Sequence, residues 1–379
     1  MSKEFIEIAT KINYPLLSDW KSSGKKIVGY TCSFLPPEIF HAAGILPIRL
    51  RGIETESLNI ADAYYGPFVC TFPKCLLQLA GEGKYSFLDG AVISTGCDAM
   101  RRLDECWRSA GKDYPNAIPS FFYYFDIPHK SDNHALKWFE DEIKLLIKAI
   151  SNNFGVNIST ENLQKSISIY NKGRRLLLEL ENLRMKEGVN ITGEEAFAAS
   201  ISANLMPRED FNKSLSDWIS DINSLPELKV SGKKRIMLIG SVNDDIDLVR
   251  LIEKAGALVV AENLCFGIRS EKDIVREDIE PIHALSYRYL SNSICPRMFG
   301  GYLERKGYLL EKVKSARIDG VIMQNIRFCD LHSSENGLFE RDLEDAGIPS
   351  IRLEKEYGPL TETGRLRMRI DAFLERISK

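Results

Sequence analysis

The spacing of apolar residues changes along this chain and divides it into stretches of different structure. Over residues 4–23 apolar positions recur at helical intervals (Phe5, Ile8, Ile12, Leu16, Leu17, Trp20) until Gly24 offers a C-terminal stop. Short apolar runs follow. Lys26-Ile27-Val28-Gly29-Tyr30 reads as a strand, residues 38–43 as a helix opened by Pro37 and closed by Gly44, and Leu46-Pro47-Ile48-Arg49-Leu50 as a second strand. Strand, short helix, strand is how a parallel sheet begins. A helix over 73–80, a strand beginning at Gly90, a helix carrying Arg101 and Arg102, and the aromatic strand Ser120–Phe125 continue the same alternation. From about Asn133 to Leu225 the pattern becomes long and amphipathic, over Trp138–Ile150, Leu163–Leu183 and Glu194–Ile201. Its breaks fall at Gly155-Val156-Asn157, at Lys186-Glu187-Gly188-Val189-Asn190 and at Met206-Pro207-Arg208-Glu209-Asp210.

After this helical stretch the alternation restarts. Lys233-Lys234-Arg235 followed by Ile236–Ile239 repeats the basic-then-apolar strand at Lys25, and Ala255-Gly256-Ala257-Leu258 parallels Ala43-Gly44-Ile45-Leu46. Leu88-Asp89-Gly90-Ala91-Val92-Ile93-Ser94-Thr95-Gly96-Cys97-Asp98 returns as Ile318-Asp319-Gly320-Val321-Ile322-Met323-Gln324-Asn325-Ile326-Arg327-Phe328-Cys329-Asp330. Each copy is a turn, a strand apolar on both faces, and a Cys-Asp pair beyond the strand's carboxyl end. The predicted fold is α/β: two similar doubly wound parallel-sheet domains, Rossmann-like or flavodoxin-like, with a helical insert between them and a functional cleft where the sheets face. The expected divisions are an N-terminal helix over 1–24, domains over 25–132 and 231–379, and the insert over 133–230.

Charge narrows the function. A net charge of -3 and a pI near 6.1 supply no basic face for nucleic acid. No apolar run approaches the roughly 20 residues that span a bilayer, and Met1–Thr10 lacks an apolar signal core, so a cytoplasmic protein is expected. No phosphate-binding glycine loop is present; Gly240-Ser241-Val242-Asn243-Asp244 lacks the later glycines, which assigns any ATP chemistry to another protein.

The eight cysteines are scattered, without zinc-type Cys-x-x-Cys pairs. Cys75 and Cys106 sit on predicted helices as small hydrophobes. Cys32, Cys70 and Cys97 in the first half, and Cys265, Cys295 and Cys329 in the second, each follow a predicted strand or precede a helix. Six thiols at such edges can converge on one cleft. With five histidines at no metal-ligand spacing, such a set suits iron and sulfide better than zinc. His332 stands behind Cys329-Asp330 as a candidate support for a ligand, whereas a Cys-His-Asp hydrolase is disfavoured because Cys329, Asp330 and His332 lie too close in sequence.

Gly29-Tyr30-Thr31-Cys32-Ser33-Phe34-Leu35-Pro36-Pro37-Glu38, with Ala42-Ala43-Gly44-Ile45-Leu46-Pro47 behind it, resembles the opening motif of the 2-hydroxyacyl-CoA dehydratase and benzoyl-CoA reductase subunits. So do the two Asp-Gly-to-Cys-Asp stretches and the closing Glu356-Tyr357 through Arg369-Ile370-Asp371-Ala372-Phe373-Leu374-Glu375. The resemblance implies a [4Fe-4S] cluster held by Cys70, Cys97 and Cys329, with one iron open. It also implies a paralogous subunit or second copy as partner, and a separate ATP-hydrolysing iron-sulfur activator. The reaction implied is loss of water from a 2-hydroxyacyl-CoA through a ketyl radical, or a related aryl-CoA reduction. Cys32, Cys265 and Cys295 supply a second set, which resembles the double-cubane proteins, homodimeric ATP-dependent reductases holding an [8Fe-9S] group. Ser33 is the candidate donor to the thioester oxygen and Glu38 a candidate proton acceptor or a helix cap. Arg101, Arg102 and Arg297 are candidates for CoA phosphates. A non-enzymatic paralogue that kept the fold is the remaining alternative.

Overall fold

The computed structural model describes residues 2–188, 190–226, 232–358 and 362–378. The expected boundary at 230/231 and Val189 of the polar break lie outside them. The first half contains α1 (Ser2–Ala9), α2 (Pro15–Ser22), β1 (Ile27–Tyr30), α3 (Glu38–Ala42), β2 (Leu46–Arg49), α4 (Thr71–Gly81), β3 (Gly90–Ser94), α5 (Asp98–Asp113) and β4 (Phe121–Phe125). Four helices follow: α6 (Asn133–Phe154), α7 (Thr160–Met185), α8 (Gly193–Ser202) and α9 (Arg208–Ser224). The second half contains β5 (Arg235–Gly240), α10 (Asp247–Lys254), β6 (Leu258–Asn263), α11 (Pro281–Leu290), α12 (Tyr302–Ser315), β7 (Gly320–Ile326), α13 (Asp330–Asp345), β8 (Ser350–Lys355) and α14 (Thr363–Ser378).

Two four-stranded sheets result, in the orders β2-β1-β3-β4 and β6-β5-β7-β8, and every pairing is parallel. The predicted α/β class and the duplication are both present. The Asp-Gly turns do the same work in each copy. Asp89 Oδ2 accepts from the Ile27 backbone at 2.9 Å and Asp319 Oδ2 accepts from the Arg235 backbone at 2.7 Å, so each carboxylate ties the start of the third strand to the start of the first. At the opposite edge, Thr31 Oγ1 accepts from the Ser94 backbone at 3.0 Å, and Ser241 Oγ accepts from the Ile326 backbone at 3.1 Å. With Tyr30 in register with Val92 and Gly240 with Gln324, these are equivalent positions.

The single N-terminal helix expected over 4–23 is two helices, because Pro15 occupies the first turn of α2 and Tyr14 before it is extended (φ -137°, ψ 157°). They serve the insert as well as the first sheet: Phe5 packs on Phe211 and Trp218 of α9, and the Ser202 hydroxyl at the end of α8 donates to the Phe5 carbonyl at 3.1 Å. The insert is less purely apolar than its pattern suggests. α7 buries Asn171, Arg174, Glu181 and Arg184 as well as its leucines. Arg208, expected in a plain helix break, is buried at the start of α9 and pairs with Glu271 at 2.9 Å. Among the described residues no helix is long and apolar enough to cross a membrane.

Candidate functional site

Three cysteines share one local structure. Cys70, Cys97 and Cys329 are the N-cap residues of α4, α5 and α13. Cys97 and Cys329 are duplicates, each five residues beyond equivalent positions of the third strand, Val92 and Gln324. Helix N-termini present unpaired N–H groups and positive potential, which favour a thiolate. Backbone N–H groups act in that sense on all three thiols, from Phe72 on Cys70, from Met100 and Ala99 on Cys97, and from His332 on Cys329.

Burial acts the other way and dominates. It lifts the Cys70 thiol well above its ordinary value, aided by the negative charges that Cys329 and Cys97 would carry. Cys97 is pushed up to about 12, by burial first and also by Cys329 and Cys32. Cys329 is raised by burial, Asp330 and Cys265 against the Ser241 hydroxyl and the His332 N–H. These thiols therefore lie within electrostatic reach of one another, drawn from both halves of the chain. Without a countercharge they stay protonated; a polycationic metal group would supply one.

The remaining edge thiols adjoin the first three. Cys32, just past β1, feels both Cys97 and Cys295, while Cys265, just past β6, feels Cys329. Cys295 lies in the loop between α11 and α12, which a buried arginine fastens to the first half. Arg297 donates to the carbonyls of Thr95 (2.8 Å), Ile127 (2.9 Å), Pro128 (3.0 Å) and Gly96 (3.2 Å). All eight cysteines are free thiols. Among the described residues no three His, Cys, Asp or Glu side chains close on a single-ion position. A lone tetrahedral ion with bonds of about 2.3 Å to sulfur would draw its ligands to within about 4 Å of each other. A multi-iron group makes no such demand, because each thiolate takes a different iron.

Several expected site residues take other roles. Glu38 is fully buried at the start of α3; its carboxylate accepts from Arg174 Nη2 at 2.6 Å and from Tyr289 Oη at 2.8 Å. It thus joins the first half to α7 and α11. Arg297 is buried, and its donors meet four backbone carbonyls and the Met298 thioether. Arg101 and Arg102 are exposed on α5, and Arg102 pairs with Glu105 at 2.9 Å. Ser33 is half-buried, next to Cys32 in the chain. His332 reaches Cys329 through its backbone N–H. Desolvation and the charges of Arg269 and Arg305 hold its ring neutral, well below the usual histidine range. Cys75 is buried, as a small hydrophobe should be, and burial pushes its thiol up to about 12.

The residues that the sequence did not single out are Thr31 and Ser241, which fix the strand ends, and Arg49. The signal for Arg49 was present: a cation closing an apolar run suited to a strand buried on both faces. Phe68 and Phe328, near Cys70 and Cys329, meet edge to face at 5.7 Å, with Phe328 in the left-handed region at φ 62°.

The family described as 2-hydroxyglutaryl-CoA dehydratase, D-component, matches residues 32–377 of this chain. The chain belongs to that family. It is 24% identical over 374 residues to the (R)-phenyllactyl-CoA dehydratase beta subunit of Clostridium sporogenes, covering 98% of this chain and 97% of that one. It is 26% identical over 353 residues to one of the subunits of the Thauera aromatica benzoyl-CoA reductase (90% and 88% covered). It is also 22% identical over 368 residues to the (R)-2-hydroxyglutaryl-CoA dehydratase beta subunit of Acidaminococcus fermentans (95% and 94% covered). The resemblance drawn from the cysteine-bearing motifs is therefore the chain's family. These dehydratase-family relatives are named as subunits of enzymes, some dehydratases and one a reductase.

Proposed function

We propose that this chain is the iron-sulfur subunit of a 2-hydroxyacyl-CoA dehydratase, or of a related aryl-CoA reductase. The observation that carries the reading is the gathering of Cys70, Cys97 and Cys329, three helix N-caps from two duplicated halves, into one electrostatic neighbourhood. These three thiols would hold a [4Fe-4S] cluster, which when bound supplies a low-potential electron and a Lewis-acidic open iron. The helix N-termini stabilise the thiolates. The Ser33 hydroxyl donates to the thioester oxygen of a 2-hydroxyacyl-CoA, which loses water by way of a ketyl radical. A separate ATP-hydrolysing iron-sulfur activator delivers the electron, and a paralogous subunit or second copy completes the enzyme in the cytoplasm.

A second reading rests on the adjacency of Cys32, Cys265 and Cys295 to the first set: six thiols of one chain hold an [8Fe-9S] double cubane in an ATP-dependent reductase. Iron and sulfide counting after anaerobic reconstitution separates the two. About four irons per chain, lost in Cys70→Ser, Cys97→Ser and Cys329→Ser but retained in Cys32→Ser, support the first. About eight, roughly halved by Cys32→Ser or Cys265→Ser, support the second. A chain that takes up no iron refutes both.

A further inference from the structure

Arg49 ends β2 opposite Tyr30 and is 3% exposed. Its Nη2 donates to Cys265 Sγ at 3.2 Å, its Nη1 donates to the Cys265 carbonyl, and its guanidinium lies 3.7 Å over the Phe266 ring. Nε is buried without a partner. Other buried arginines are neutralised by a carboxylate, as Arg51 is by Asp244, Arg174 by Glu38, Arg208 by Glu271 and Arg305 by Glu335. Arg269, Arg288 and Arg297 have no carboxylate in contact, but their backbone acceptors are oxygens. Arg297 also donates to the Met298 thioether at 3.3 Å, whereas the sulfur that Arg49 meets at 3.2 Å is a cysteine's.

Hydrogen bonds to its sulfurs are among the levers that set the potential of an iron-sulfur group, and a cationic donor favours the more negative state of whatever the sulfur holds. The neighbouring thiols share this field: the charge of Arg49 is felt at Cys32, and those of Arg269 and Arg297 at Cys295. After burial, the strongest influences on Cys70 and Cys97 are other thiols and backbone N–H groups. Arginines thus stand close around Cys32, Cys265 and Cys295.

We infer that Arg49 is the built-in counter-ion of a second iron-sulfur site on Cys32, Cys265 and Cys295, which it holds at a higher reduction potential than the site on Cys70, Cys97 and Cys329. The inference rests on the iron-sulfur reading and deepens its double-cubane form. Arg49 is a positioning residue: its N–H fixes Cys265 Sγ, and its charge stabilises the more reduced, more negative state of whatever that sulfur holds.

The test compares the reconstituted wild-type chain with Arg49→Met and Arg49→Lys by iron content, by EPR-monitored redox titration and by the rate of iron loss to a chelator. The wild type should show two groups, the one dependent on Cys265 reduced at the higher potential. Arg49→Met should lower that potential alone and speed loss of that iron about tenfold or more, as removal of an outer partner of a metal ligand does. Arg49→Lys keeps the charge but lacks the planar fork that sets one nitrogen on the sulfur and the other on the carbonyl, so it should fall between. If Arg49→Met does not fold, as judged by far-ultraviolet circular dichroism, the Lys variant alone decides. An unchanged potential and loss rate in the folded variants overturn the role of Arg49, as does iron that Cys265→Ser leaves undiminished. No iron in the wild type overturns the iron-sulfur reading itself.

Discussion

The role given to Glu38 makes the sharpest contrast with what its place in the sequence suggests. Glu38→Gln keeps the shape and removes the charge. In the native chain the carboxylate is fully buried, with Arg174 Nη2 at 2.6 Å and Tyr289 Oη at 2.8 Å. Arg174 is held more firmly protonated than an ordinary arginine: its own burial opposes this, but the Glu38 charge, followed by Tyr289 and Glu271, outweighs it. Neutralising Glu38 leaves Arg174 with Glu271 at 3.9 Å, and Arg208 already claims that carboxylate at 2.9 Å. Removing one partner of a buried pair costs about 3–5 kcal/mol, and the share of Glu271 places this case at the lower end, about 3 kcal/mol. That is a large part of the roughly 5–15 kcal/mol that holds a domain folded. Urea unfolding of the metal-free chain should therefore show a clearly lower midpoint for Glu38→Gln. The double variant Glu38→Gln/Arg174→Met should recover part of the loss, because no uncompensated charge remains. A Glu38→Gln chain with an unchanged urea midpoint and abolished turnover would refute this reasoning and return Glu38 to proton transfer.

Two further substitutions probe the frame of the site. Burial works to raise the Asp89 carboxyl, but hydrogen bonds from Lys21, the Ile27 backbone and Lys26 outweigh it and hold the group below its ordinary value of 3.8. Stability from Asp89 is therefore full above that value and is lost as pH falls through the lower folded value. Asp89→Asn should lower the urea midpoint by a constant amount at neutral pH, and the gap should close in acid; a gap that widens in acid would contradict this. Gly240 ends β5 at φ 134°, and a Cβ there would lie 1.8 Å from the Gln324 carbonyl oxygen. Gly240→Ala should cost about 3 kcal/mol or more in thermal or urea unfolding, from overpacking together with backbone strain, and a near-native midpoint would refute the close approach of β5 to β7.

The fold was legible because its signals are local and repeated. Two copies of Asp-Gly plus an apolar strand, each followed by a helix, leave few topologies open, and right-handed parallel crossovers reduce them further. The break at Pro15 was visible as a residue, yet helical spacing continues across it, so periodicity overrode the proline. The charged interior of α7 was illegible for another reason. Arg174 and Glu181 look like a solvated face, and only partners far away in sequence, Glu38 for Arg174 and Lys312 for Glu181, show that they are buried. The same long-range pairing gives Glu38 and Arg297 partners that their own segments do not show. Composition identifies a charge but not what meets it.

The duplication also shows why one thiol pair was easy to read and the others were not. Cys97 and Cys329 occupy equivalent positions because the fold repeats, just as Thr31 and Ser241 do. The repeat does not extend to the rest: the residue two beyond Tyr30 is Cys32, whereas two beyond Gly240 stands Val242. Cys70 caps α4 through a long connection after β2, and Cys295 hangs on a loop that Arg297 pins to the other half. A site made only of the equivalent pair would be symmetric, with the same helix-end field on each thiol. The added thiols break that symmetry, and so do the arginines beside them: Arg49 donates to Cys265 Sγ, and Arg269 and Arg297 act on Cys295. In a protein proposed to receive an electron and pass it on, the direction of transfer needs such a difference. The repeated fold supplies the place where the thiols meet, and the unrepeated residues supply the difference.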